Sequence, residues 1–220
     1  MSTAKPVRLE DRVCFHCTRC GNCCRNLEGQ LMLEPADAYD LARYLWAQGK
    51  VNSIHDVYER YATVDLLDGR LPIYLMNTVG DDHVCIFLED RRCSVYEGRP
   101  QMCRMYPFFA CPSELGKAFA VFQCMDSHTA HFTGGKVLVK DWLRKNFSKN
   151  RRGIMTAEAA VLPALGRLLQ GVNFNENKTA LFQVLHYHYY NYDLDKPFLP
   201  QYISNMAALQ QFLRGRPREV

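Results

Sequence analysis

The sequence predicts an α+β protein: a metal-stabilised, cysteine-rich half of short strands and loops, packed with helices, and a helical C-terminal part. Three observations carry this. All ten cysteines of the 220-residue chain fall between positions 14 and 124. Short runs of strand character, "LPIYLM", "HVCIFL" and "KAFAVFQ", lie around the later cysteines with Gly and Asp clusters between them. From about residue 137 the apolar residues recur at three- and four-residue spacing, the period of helices packed on one face. The division that follows is residues 1–135 as a cysteine-cluster metal-binding domain and residues 136–220 as a helical extension packed on it.

The elements can be justified in turn. "LEPADAYDLARYLWAQGK" reads as a helix from Pro35 to Gln48: proline suits the first turn, Leu41, Ala42 and Leu45 share one face, and Gly49 can end it. "SIHDVYERY" reads as a second helix, with Ser53 as N-cap, Asp56 three residues on, and Ile54, Val57, Tyr58 and Tyr61 as its apolar set. The three strands follow. Then "VLVKDWLRKNF", "TAEAAVLPALGRLLQ", "NKTALFQVLHYHYY" and "QYISNMAALQQFLRG" are helical, with Pro163 expected to kink or split the second.

Composition narrows the function. A hydrophobic fraction of 48% and a charged fraction of 23% are those of an ordinary globular chain. The start, "MSTAKPVRLEDRV", lacks the apolar core of a signal peptide, and no stretch approaches the roughly 20 apolar residues of a membrane span. A cytoplasmic protein is the expectation, in a compartment where thiols stay reduced, so the cysteines point to metal rather than disulfides. Seven Lys or Arg against Asp141 alone between Lys136 and Arg152 could mark a nucleic-acid or acidic-partner surface, but with a net charge of only +4 they read as a solvated helix face. The chain has no GxGxxG after a strand, no GxxxxGK[ST] and no GxSxG, the usual signatures of nucleotide-binding folds and serine hydrolases.

The chemistry is concentrated in "CTRCGNCC". Cysteines two residues apart can turn both sulfurs toward one metal, and Cys17, Cys20 and Cys23 repeat that spacing, with Gly21 free to take a positive φ. Such a run resembles the nest around an iron–sulfur cluster more than a zinc ribbon, whose knuckles stand further apart. In extended backbone the adjacent Cys23 and Cys24 would point to opposite sides and serve two centres back to back; an unusual local turn would let them share one. Arg25, Arg99 and Arg104, near cysteines in sequence, suit a site of net negative charge, and Arg99 and Arg104 are expected beside it.

"FHCTRCGNCCR" followed by "CIFLEDRRCSVYEGRPQMCRMYPF" resembles the YkgJ family of cysteine-cluster proteins, described as chelating zinc or iron and related to the flagellin lysine N-methylase. The likeness spans roughly residues 15 to 111 and rests on eight cysteines in order. It implies Cys17, Cys20, Cys23, Cys24, Cys85, Cys93, Cys103 and Cys111 as the metal-ligand set, with Cys14 and Cys124 outside the pattern. The expected function is a metal-binding protein holding an iron–sulfur cluster of the 4Fe–4S kind, extending by analogy to cluster-dependent modification of a protein substrate or partner. The alternatives are a non-enzymatic module with two four-cysteine zinc sites, or metal storage and delivery. No catalytic residue is assigned. His16 and His83, each close to a cysteine, read as turn or surface residues, and the aromatic run "LHYHYYNYDLD" as a packing face before a substrate pocket.

Overall fold

The computed structural model describes residues 4–67, 71–112, 118–125 and 132–215. The first two helices form as their sequences dictate. Helix α1 spans Pro35–Trp46 and buries Leu41, Ala42 and Leu45. Gly49, at φ +68°, closes the turn after it, its N–H reaching Trp46 O at 2.9 Å. Helix α2, Ile54–Tyr61, starts where Ser53 Oγ accepts the Asp56 N–H at 3.3 Å.

The strands are short and every pairing is antiparallel. β1 (Ala4–Val7), β10 (Phe119–Cys124) and β9 (Phe108–Pro112) form one sheet in that order. Four two-stranded ribbons accompany it: β2 (Arg12–Cys14) with β11 (Lys136–Leu138), β3 (Ala62–Leu67) with β4 (Leu71–Met76), β5 (Thr78–Val79) with β6 (Val84–Cys85), and β7 (Leu88–Glu89) with β8 (Arg92–Cys93). "LPIYLM" is β4. "HVCIFL" is divided between two hairpins, because the Ile86 N–H turns back to Asn77 O at 3.1 Å while Phe87 O accepts from Ser94. "KAFAVFQ" yields β10 from Phe119 onward, and its Lys117 lies outside the described residues.

A short helix α3, Gln101–Met105, precedes β9. The C-terminal part is helical: α4 (Val139–Asn146), α5 (Lys149–Leu168), α6 (Lys178–Leu185) continuing into a π-turn at His186–Tyr190, and α7 (Phe198–Arg214). Pro163 does not split α5. It lies on the exposed side, where the carbonyl its ring displaces can turn to water.

Two apolar clusters hold the molecule, and each joins the cysteine-rich part to the helical part. The larger packs α1, α2 and β4 against α5, α6 and α7, with Leu41, Val57, Tyr202 and Leu209 completely buried. At roughly 1.5–3 kcal/mol for each large apolar side chain removed from water, this is the main source of stability. The smaller joins Met105, Phe108 and Val121 to Val139, Leu143 and Phe147. The aromatic run is part of the larger cluster: Tyr189 stands edge-on to Tyr58 and Tyr74 and donates to Pro72 O at 2.6 Å. Of the seven cations between Lys136 and Arg152, six are exposed and Arg151 is buried.

Candidate metal centre

The cysteine loop is fixed at both ends. Before it, Phe15 is buried against the rings of Tyr106 and Trp142, at 5.7 and 5.3 Å between centroids. Gly21 then takes φ +74°, and a β-carbon there would sit 2.8 Å from the Leu88 side chain and 3.4 Å from Arg91 O. Only glycine meets both demands, so the loop lies directly on the β7–β8 hairpin. The chain turns tightly through a 3-10 turn at Asn22–Cys24, closed by Cys24 N–H to Gly21 O at 3.0 Å. Beyond it, Asn26 and Leu27 donate to Asp82 O and His83 O, at 2.8 and 3.1 Å, stitching the loop to the β5–β6 hairpin.

This brings Cys23 and Cys24 from the turn, Cys85 from β6, Cys93 from β8 and Cys103 from α3 into one group. Their mutual electrostatics define it. The Cys23 thiol, hydrogen-bonded to Cys24, joins burial and the charges of Cys103 and Cys85 in pushing the Cys24 thiol far above its ordinary range. Burial, then Cys85, Cys23, Asp37 and Cys93, push Cys103 up as well. Burial raises Cys85 and Cys93, opposed in Cys85 by a backbone N–H from Phe87 and in Cys93 by one from Val95 and by the Arg99 charge. Four thiols that resist losing their protons, with Cys23 beside them, are a set that a cation would deprotonate and hold, because its charge offsets the burial and repulsion that raise them.

The adjacent pair therefore does not face two ways. The 3-10 turn entered through Gly21 sets both sulfurs toward the same neighbours, the unusual local geometry that a shared centre requires. The remaining expected ligands take these places. Cys17 is exposed in the loop after β2, and Cys111 is exposed on the outer face of β9, opposite Ala120. Cys20 is half-buried and lines an arginine-rich hollow. Cys14 and Cys124 are strand residues, opposite Lys136 and Ala4. Among the described residues all ten cysteines are thiols rather than disulfides.

The two expected arginines take different places. Arg99 lowers Cys93 electrostatically and stacks 3.4 Å above the Tyr96 ring, which carries Arg19 at 4.7 Å. The Arg104 fork is engaged by backbone, donating to Arg99 O at 2.8 Å and to Glu97 O, and so braces the turn before α3. α3 is held from behind by an ion pair that the sequence reading passed over. Buried Asp37 accepts from Gln101 N–H at 2.9 Å and from Arg151 Nη2 at 2.6 Å, and the same nitrogen reaches Asp40 at 2.8 Å and Ala36 O at 3.1 Å. An acidic residue on the apolar side of α1 was the available signal. Exposed His55 and Glu59 and half-buried Asp56 also converge on α2, but Asp56 is occupied as a cap, accepting the Asn52 N–H at 2.6 Å.

A partly buried group whose members are all sulfur donors, gathered from a turn, two hairpins and a helix, defines a cysteine-ligated metal-binding protein. The chain belongs to the CxxCxxCC family, described as a "putative zinc- or iron-chelating domain", whose model matches residues 16–129, just over half of it. No curated protein and no solved structure matches the chain. Zinc and iron are thus the metals at issue, and among the described residues no helix is long and apolar enough to cross a membrane.

Proposed function

We propose that the chain holds one iron–sulfur centre, of the four-iron kind, in the group formed by Cys23, Cys24, Cys85, Cys93 and Cys103. The carrying observation is the spacing of the thiols. Four thiolates on one zinc ion, at about 2.3 Å each, stand about 3.8 Å from one another. Among the described residues no three cysteine sulfurs lie mutually within 4.8 Å, although five share one electrostatic neighbourhood. Apart from the hydrogen-bonded Cys23–Cys24 pair, thiols gathered without forming a single-ion tetrahedron suit the larger core of a cluster. Arg99 would then offset part of the excess negative charge and tune the potential. Cluster-dependent modification of a protein side chain is the activity to which this reading extends, supported by the resemblance to the lysine N-methylase.

The test is anaerobic purification followed by an optical spectrum and metal and sulfide analysis. Brown protein with absorbance near roughly 400 nm and about four irons and four acid-labile sulfides per chain is the expected result. Colourless protein with stoichiometric zinc overturns it.

A further inference from the structure

Beside the cysteine loop lies a hollow of about 840 Å³, within the roughly 300–1,000 Å³ of small-molecule sites. Arg19, Arg25, Arg91 and Arg92 line it, with Asp90 and Cys20, leaving a net charge of +3 from its ionised groups. Arg25 is also paired with exposed Asp82, at 3.7 Å. Four arginines lining one concavity suit phosphate oxygens in both charge and fork geometry, although Arg19 also lies over Tyr96 and Arg25 beside Asp82.

The backbone gives an independent reason to regard these arginines as placed for their side chains. Asp90 and Arg91 form the two-residue loop of the β7–β8 hairpin, at φ +45° and +65°. A loop of that kind favours Asn or Asp first and glycine second. Aspartate fits the first position, but at the second, where glycine would be easier, the chain carries an arginine. Arg19 repeats the pattern at φ +56° within "CTRC". Three of the five described non-glycine residues in the left-handed region line this one hollow, and strain concentrated at a concave, charged site marks function rather than folding.

We infer that this hollow binds a small organic anion bearing two phosphate groups, next to the metal centre. Two phosphates rather than one are needed to engage four arginines, and phosphate outcompetes carboxylate there by carrying more charge on each group. The site is independent of which metal the thiols hold.

The experiment is calorimetric titration of the full, metal-loaded chain at low salt with fructose 1,6-bisphosphate, fructose 6-phosphate and glutarate as probes, on wild type and Arg91→Gly. The bisphosphate should bind about tenfold or more tightly than either other probe, and Arg91→Gly should lose about tenfold of that affinity, the equivalent of one charge-assisted contact. Because glycine is at ease at φ +65°, the variant should keep its metal and melt no lower than wild type. Equal affinity for the three probes, or unchanged bisphosphate binding by Arg91→Gly, overturns the proposal. So does loss of metal together with the anion, which would show that the arginine serves the metal centre; metal content measured on the same samples separates this from a failure of the iron–sulfur reading.

Discussion

Replacing Arg151 with methionine keeps most of the side chain's volume and removes one nitrogen that makes three contacts at once, to Asp37, Asp40 and Ala36 O, and that through Asp37 supports the first N–H of α3. Asp37 is 5% exposed, so its carboxylate would be left with the Gln101 N–H as its remaining partner. Breaking one side of a buried ion pair costs about 3–5 kcal/mol. The loss depends on pH, with a sign that follows from Asp37. Burial already raises its carboxyl above the usual range and Arg151 opposes the rise. Without Arg151 the folded protein holds the Asp37 proton more tightly than the unfolded chain does, so the penalty is small near the unfolded value of 3.8 and grows as pH rises. Urea melts at pH 5 and pH 8 measure it. Arg151→Met should lose more stability at pH 8, and the double variant with Asp37→Asn should recover most of the loss, because no charge is then stranded. The metal content of the single variant should fall too, since α3 carries Cys103. A loss under about 1 kcal/mol, or one equal in the single and double variants, would refute the reasoning.

Three further expectations follow from the same geometry. Glu158 has its carboxyl pushed up to about 8 by burial and by the charges of Glu34 and Asp37, so its ionisation opposes folding as pH rises above 4.5. Over the 2.5 units to pH 7, at about 1.4 kcal/mol per unit, Glu158→Gln should gain about 3 kcal/mol and should gain nothing at pH 4, read by thermal melts at both pH values. Gly21→Ala should cost about 2 kcal/mol or more and lower metal occupancy, since the new β-carbon meets Leu88 at 2.8 Å in a left-handed backbone; unchanged metal content would show that the loop does not rest on the hairpin as described. Among cysteine-to-serine variants, Cys23 and Cys24 should lose the same spectral features to the same degree, whereas Cys111 and Cys17 should lose much less, and distinct residual spectra for the adjacent pair would restore two centres.

The helices and the cysteine chemistry were legible because both are written locally. Pro35 and Ser53 start helices by their own side-chain and backbone properties, and a C-x2-C spacing states its own geometry. What joins distant residues was not legible. β1, β2 and β11 are three or four residues long, without sustained alternation, and pair across more than a hundred positions, so no local period announces them. The direction of Cys24 depends on Gly21 lying against Leu88, a contact of residues 67 positions apart. Pro163 looked like a break because its sequence does not show that it faces water. Arg151 was hidden in a basic run whose other members are exposed, and only its reach to Asp37 distinguishes it.

The central claim is a cluster held by thiols of the five-cysteine group. Extended X-ray absorption fine structure at the iron edge, on protein purified without oxygen, tests it most directly. A first shell made of sulfur alone, a second contribution from iron neighbours, and loss of both in Cys24→Ser are the expected result. An iron site with oxygen or nitrogen donors and no iron neighbour, or a zinc-edge signal of four sulfurs at about 2.3 Å in place of iron, would contradict it.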